Sequence, residues 1–229
     1  MNSVPVSAIF SSVEGEGIHV GKPTIFVRLS GCNLSCKWCD TDHSISYYAT
    51  VEELKDKINE LNTKTGIERI EFTGGEPLLY MNFLEELLSE LPVKYDIAVQ
   101  TNGTIAPGDD LFYRVPQWCV SPKLKSSGEA IVEDVVSWFV LWFRIKVRIA
   151  GGNRQDEFKF VINDVGDLLQ LIDVVNRLEI FDAGVPMVIQ PVYGKERQML
   201  DNMKEIYKLT EQVEDVRVIP QCNKVMGMK

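Results

Sequence analysis

Three cysteines fall within one short run, Cys32-Asn-Leu-Ser-Cys36-Lys-Trp-Cys39, directly after the apolar stretch Thr24–Leu29. Thiolates at this spacing can hold three corners of a metal centre and leave a fourth position open, where a metal performs chemistry. A zinc ion closed by Asp40, Asp42 or His43, or a reduced cysteine face without metal, would use the same residues. Zinc sites made only of protein ligands usually show two separated pairs, however, and Cys119 and Cys222 stand alone. An iron–sulfur cluster with one unligated iron uses three cysteines naturally. Gly31 lets the backbone wrap closely around a bulky cluster, and Trp38 can shield it while offering an aromatic surface to a ligand.

Further polar groups recur wherever an apolar run ends. Phe72 leads into Thr73-Gly-Gly-Glu-Pro77, Val99 into Gln100-Thr-Asn-Gly103, Val120 into Ser121-Pro-Lys123, and Ile189 into Gln190-Pro191. The runs read as strands at Thr24–Leu29, Arg69–Thr73, Asp96–Gln100, Gln117–Ser121, Phe158–Ile162, Val185–Gln190 and Val216–Ile219. Between them lie helices. Thr50-Val-Glu-Glu53 is a capping box opening one that runs to about Leu61, Asn82 starts a second that ends before Pro92, Asp164 caps a third through Arg177, and Glu196–Thr210 is a fourth.

Strand–helix alternation predicts β–α–β units and a parallel sheet, an α/β fold shaped as a partial (β/α) TIM-like barrel, with all those polar strand ends on one face. No Gly/Ser-rich or Pro-rich linker divides the chain, so residues 1–229 are read as one domain, with 130–152 as a candidate insertion. Within Ala130–Ala150, a helix is expected first. The alternating Arg144-Ile-Lys-Val-Arg-Ile149 then reads as an added strand or hairpin, serving as core or as a subunit contact.

Asp and Glu outnumber Lys and Arg by 33 to 24, a formal net charge of −9. That balance argues against nucleic acid or an anionic membrane as partner and favours a small molecule. Val135–Phe143 is too short to span a bilayer, the first residues show no secretory pattern, and the cysteine usage suits a reducing compartment. A cytoplasmic protein is expected.

Cys32-x-x-x-Cys36-x-x-Cys39 with an aromatic residue before its last cysteine resembles the signature of the radical S-adenosylmethionine (SAM) superfamily. The resemblance implies a [4Fe–4S] cluster on Cys32, Cys36 and Cys39 whose open iron binds SAM, and reductive cleavage of SAM to a 5′-deoxyadenosyl radical. Gly74-Gly-Glu76 resembles the superfamily motif that contacts the methionine amino group. Phe10-Ser-Ser-Val-Glu-Gly-Glu-Gly17, Phe26–Thr41, Thr101-Asn-Gly103, Lys159-Phe-Val161 and Gln190-Pro191 further resemble the 7-carboxy-7-deazaguanine synthase family. Membership would imply ring contraction of 6-carboxy-5,6,7,8-tetrahydropterin with loss of ammonia, in queuosine or archaeosine biosynthesis. It would also imply Mg²⁺, an electron donor such as flavodoxin or ferredoxin, and a homodimer.

The same resemblance suggests roles. Arg28 would grip the substrate carboxylate as a two-point pair, Glu14 and Glu16 would meet pterin N–H groups, and Thr73 and Asn223 would also touch substrate. Thr41 would supply an oxygen to Mg²⁺. Trp38, Gly74, Gly75, Glu76, Asn102, Ser121, Lys123 and Gln190 would line the SAM pocket. No general acid or base is assigned, and neither His19 nor His43 is expected to act as one. Two residues depart from the family pattern: Glu14 stands where glutamine is usual, and Asn223 where histidine is. A carboxylate only accepts hydrogen bonds, and an asparagine does not titrate near neutrality. Other readings of the same motifs are a different radical SAM enzyme, such as a glycyl-radical activase, and a non-enzymatic zinc or redox-sensing module.

Overall fold

A computed structural model describes residues 3–149, 155–192, 196–211 and 215–228. In chain order the elements are β1 (Ser3–Val13), β2 (Pro23–Leu29), β3 (Tyr47–Thr50), α1 (Val51–Thr65), β4 (Arg69–Gly74), α2 (Met81–Glu90), β5 (Asp96–Thr101) and α3 (Asp109–Arg114). They continue with β6 (Gln117–Val120), α4 (Glu133–Ile149), β7 (Glu157–Ile162), α5 (Val165–Arg177), β8 (Met187–Pro191), α6 (Glu196–Thr210), β9 (Val216–Val218) and α7 (Cys222–Val225).

The strands form one nine-stranded sheet in the order β3-β1-β2-β4-β5-β6-β7-β8-β9. From β2 to β9 every neighbouring pair is parallel. β1 runs antiparallel to both β2 and β3. Helical connections cover one face, where Val27, Phe72, Trp118, Phe158 and Phe160 are fully buried against helix residues such as Leu54, Leu84, Phe112, Phe139 and Phe143. The parallel α/β sheet and its β–α–β crossovers are as the strand–helix alternation requires.

Period-two alternation sends the intervening residues to the opposite face. Register pairs Arg28 with Thr73, Glu71 with Ala98, Gln100 with Cys119, Cys119 with Glu157, and Val161 with Gln190. That face is therefore polar along most of its length, although each strand reads as apolar.

Three expectations need correction. β1 and β3 were absent from the predicted strands: Pro5 and several serines disguise β1, whose inward Val4 and Val6 are buried. The six-residue α3 is likewise absent from the sequence reading. Arg144–Ile149 is not an added strand but the last turns of α4, which is the crossover between β6 and β7. The helical face is the continuous series Val136, Phe139, Val140, Phe143 and Val147, while Arg144 bonds the Asp182 carbonyl and Lys146 reaches the carbonyls of Val115 and Pro116. Alternating cations on a helix end thus mimic a strand. Of the two roles expected for this stretch, core is the one observed: Trp138, Trp142 and Phe143 pack around Phe112 at ring-centroid distances of 5.2, 5.8 and 6.0 Å. Both capping expectations are met, by the reciprocal Thr50–Glu53 box and by Asp164 accepting from Asp167 N–H. Among the described residues no helix is long and apolar enough to cross a membrane.

Candidate active site

The loops after the parallel strands surround one cleft at the carboxyl ends of the sheet. It is bordered by Cys32, Cys36 and Cys39 after β2, by Thr73–Gly75 at the end of β4, by Gln100–Asn102 at the end of β5, and by Ser121, Lys123 and Gln190 farther round. All three cysteines are free thiols; Cys32 and Cys36 are half-buried and Cys39 is exposed. Burial raises the thiols of Cys32 and Cys36.

The cysteine loop is fastened at both ends. Gly75 N–H donates to Leu29 O (3.2 Å) and Glu76 N–H to Gly31 O (2.9 Å), which ties the start of the loop to the end of β4. Farther along, Ser35 N–H donates to Glu129, Lys37 N–H to Ser127 O, and the Trp38 indole to Ser126 Oγ, itself bonded to Asp167. Asn102 Nδ2 donates to Asn33 Oδ1 at 3.0 Å and lies 3.8 Å from Cys32 Sγ.

Whether these residues suit an iron–sulfur cluster can be judged from the donor set. Among the described residues no three His, Cys, Asp or Glu side chains converge on a point as ligands of a single ion. In a [4Fe–4S] cluster each thiolate binds a different iron, so free thiols spread around one loop are the arrangement it needs. The residues fit the group.

Of the Gly74-Gly-Glu76 motif, the two glycines border the cleft and Glu76 does not. A Cβ on Gly75 would stand 1.9 Å from Gly31 O, and one on Gly74 2.0 Å from Leu29 O. At both positions the lack of a side chain lets backbone approach backbone at the edge of the cleft. Glu76 is fully buried, and its carboxylate accepts from Leu78 N–H (2.9 Å), Thr101 Oγ1 (2.9 Å) and Asn102 N–H (2.7 Å). Burial raises its carboxyl despite these donors. Its observed work is to hold the Asn102 turn against the cysteine loop, and it does not border the cleft. Ser121 receives the Lys123 ammonium on both its carbonyl and its hydroxyl at 2.8 Å. Burial, then repulsion from Lys159, lowers Lys123.

Across the floor, Glu16 is the hub. It forms an ion pair with Lys159 and accepts from Gln190 Nε2 (3.2 Å) and Gln221 Nε2 (2.7 Å). Burial alone would raise the Glu16 carboxyl; the Lys159 ammonium and the amide donors outweigh it and hold it at about 2. Lys159 is raised in turn, Glu16 overcoming its burial. Gln100 is assigned with its nitrogen on Thr73 Oγ1 and Glu71 Oε1, both 3.2 Å, and its oxygen on Lys159, because the reverse turns the amide nitrogen toward the ammonium. Asn223 packs onto Gly15, where a Cβ would come 2.4 Å from its Oδ1, and Cys222 N–H bonds Gly15 O. The carboxyl-terminal α7 thereby closes the wall beside Glu14. Thr41 and His43 border the cleft, as does Asp40, which accepts from Gln221 and pairs with Lys224. His19 lies below the floor and is held near 4, chiefly by burial and then by Arg69.

Sequence reasoning named Lys159 as part of a motif but gave it no role, and passed over Glu71, Gln100 and Gln221 as site residues. A signal was available: Glu157 and Lys159 alternate with Phe158 and Phe160, a charged face on a strand flanked by buried aromatics.

Beneath Lys159, Glu157 accepts from Ile18 N–H at 2.8 Å. Burial lifts its carboxyl from 4.5 to about 7. Below about 4.5 it is protonated in both folded and unfolded chains and contributes nothing to the pH dependence. As pH rises to 7 the unfolded chain ionises first, so stability falls, by about 3 kcal/mol in all. Glu157→Gln keeps an acceptor for Ile18 and removes the titration. Urea midpoints of this variant are expected to vary less between pH 5 and 8 than those of the parent.

A mostly parallel sheet carrying a three-cysteine loop at its carboxyl edge is the arrangement of radical SAM enzymes, and residues 26–112 match the model of the radical SAM superfamily. The chain is 33% identical to the 7-carboxy-7-deazaguanine synthase of Methanospirillum hungatei, an alignment covering 87% of this chain and 77% of that one. It is 29% identical to the enzyme of the same name from Aquifex aeolicus, over 99% and 94% of the two chains. The crystal structure of QueE from Escherichia coli superposes with a TM-score of 0.65 at 20% identity, covering 96% of this chain and 94% of that one. The chain belongs to the 7-carboxy-7-deazaguanine synthase family. It is a radical SAM enzyme, and the superfamily implies a [4Fe–4S] cluster and SAM as cofactors.

Proposed function

We propose that this enzyme converts 6-carboxy-5,6,7,8-tetrahydropterin to 7-carboxy-7-deazaguanine, releasing ammonia. One observation carries the reading. Four buried polar atoms without a protein partner, Arg28 Nε, Glu14 Oε2, Gln190 Oε1 and Asn223 Oδ1, belong to residues that border the cleft shared with the cysteines. Unsatisfied buried groups are costly, so such a set calls for a ligand with complementary groups. One cationic donor and three acceptors suit a carboxylate attached to a ring rich in N–H groups. A carboxypterin has both.

SAM bound to the cluster supplies a carbon radical for hydrogen abstraction. The chain's own residues bind and orient. Arg28, half-buried with its guanidinium carbon 5.3 Å from the Phe10 ring centroid, offers the carboxylate a cation held against an aromatic face. Glu16, ionised at neutral pH and fixed by Lys159, Gln190 and Gln221, keeps an acceptor beside the ring. Lys123 and Ser121 form the wall toward Cys36. Thr41, bordering the cleft next to Asp40, is the proposed oxygen ligand for Mg²⁺, and a flavodoxin or ferredoxin is the proposed source of the electron.

The test is anaerobic turnover with reconstituted protein, SAM, a one-electron reductant, Mg²⁺ and the carboxypterin. Formation of the deazaguanine with ammonia is expected, and its loss in Cys32→Ala, Cys36→Ala and Cys39→Ala together with the cluster absorption. A protein that cleaves SAM yet leaves the pterin unchanged would overturn the substrate assignment.

A further inference from the structure

Glu14 and Glu71 stand together in the partition between the cleft and a small polar cavity beneath it, and both border both spaces. Each is 6% exposed. Glu71 projects from the middle of β4, beside Phe26 of β2 and Ala98 of β5, and bonds side chain to side chain with Glu14. Glu14 Oε1 accepts from Glu16 N–H at 3.1 Å, while Oε2 has no protein partner. Two carboxyl groups in contact and out of water cannot both ionise.

The surroundings decide where the proton sits. The charged and titratable groups facing the pair in the cavity beneath are Glu16, His19, Arg69, Cys119, Glu157 and Lys159, and Arg28 of β2 borders the cleft above. Arg69 lies 3.6 Å from Glu71 but also pairs with Asp96 at 3.3 Å and donates to Gln117. Lys159 is committed to Glu16. Neither cation is free to neutralise a second carboxylate. Burial, and then the neighbouring Glu14, push the Glu71 carboxyl well up.

We propose that Glu14 and Glu71 form an acid pair holding one proton, in which Glu71 donates to Glu14 and leaves the Glu14 carboxylate as an anionic acceptor at the cleft floor. The pair determines specificity. It selects a ligand that presents an N–H to this point and rejects one presenting a lone pair. Loss of the proton sets two adjacent negative charges beside Glu16 and weakens binding. The ligand part of this inference rests on the pterin reading; the proton does not.

Infrared spectroscopy of the ligand-free, cluster-loaded protein tests the pair directly. A carboxylic-acid carbonyl band is expected to persist through neutral pH, to vanish in Glu71→Gln, and to titrate lower by about one pH unit or more in Glu14→Gln, where the like charge is gone. Glu157→Gln, which removes a different buried acid, is the control and retains the Glu71 band. Absence of a Glu71 band in the parent, or a midpoint unmoved in Glu14→Gln, overturns the pair. Calorimetric titration with the carboxypterin then separates the two readings. Affinity should fall as the band disappears, and that fall should be missing in Glu71→Gln. A normal band without pterin binding at any pH supports the pair and overturns the substrate assignment.

Discussion

Replacing Lys159 by methionine is expected to cost about 3 kcal/mol of folding stability and to reduce turnover to background. Lys159 is almost completely buried and is the only cation bonded to Glu16 among the described residues. Its removal strands a carboxylate that burial would otherwise push up. The carboxylate keeps 22% of its side chain accessible at the cleft, so the cost belongs near the lower end of the range for a broken buried pair. Above about 4.5 the pair's contribution is complete, because Glu16 is ionised in both states and favoured only in the fold. It declines as pH falls toward 2, where the folded carboxyl takes its proton. Urea denaturation at pH 7 and pH 4 is the measurement, and the deficit of Lys159→Met should be smaller at the lower pH. The double variant Glu16→Gln with Lys159→Met removes both charges and should recover most of the stability but none of the activity. A single variant as stable as the parent would show that Lys159 is not holding Glu16.

Gly75→Ala should be at least as damaging, by a different route. Its Cβ would lie 1.9 Å from Gly31 O and 2.9 Å from Cys32 Cβ. The first obstacle is backbone, which cannot turn aside as a flexible side chain can, so β4 and the cysteine loop must separate. A stability loss of about 3 kcal/mol, the upper end for overpacking, is expected. The more telling readout is iron and sulfide per chain after anaerobic reconstitution, which should fall severalfold because the displaced residue adjoins the first cluster ligand. A variant that loads iron normally would mean that the loop relaxes without moving Cys32.

The sequence determined more of the cleft than of the machinery beneath it. Cys32, Cys36 and Cys39 share a loop, so their cooperation is local and their spacing alone defines it. The polar ends of successive strands were legible for a related reason. Parallel strands joined by right-handed crossovers bring their carboxyl ends to one edge, so Thr73, Gln100, Ser121 and Gln190 had to meet wherever the α/β pattern held. Only the tertiary structure decided which groups face each other across that edge. Glu16 finds Lys159 from 143 positions away, and Gln221 from 205. Nothing in a linear pattern distinguishes such partners from solvated charges. Glu76 carried the expected motif yet turned inward, because three donors on neighbouring turns compete for its carboxylate. Arg144–Ile149 carried a strand-like alternation yet coiled, because an apolar face already established from Val136 to Phe143 continued through Val147. Local chemistry is written in spacing; the pairing of distant charges is set by register, one residue of which exchanges the polar face for the apolar one.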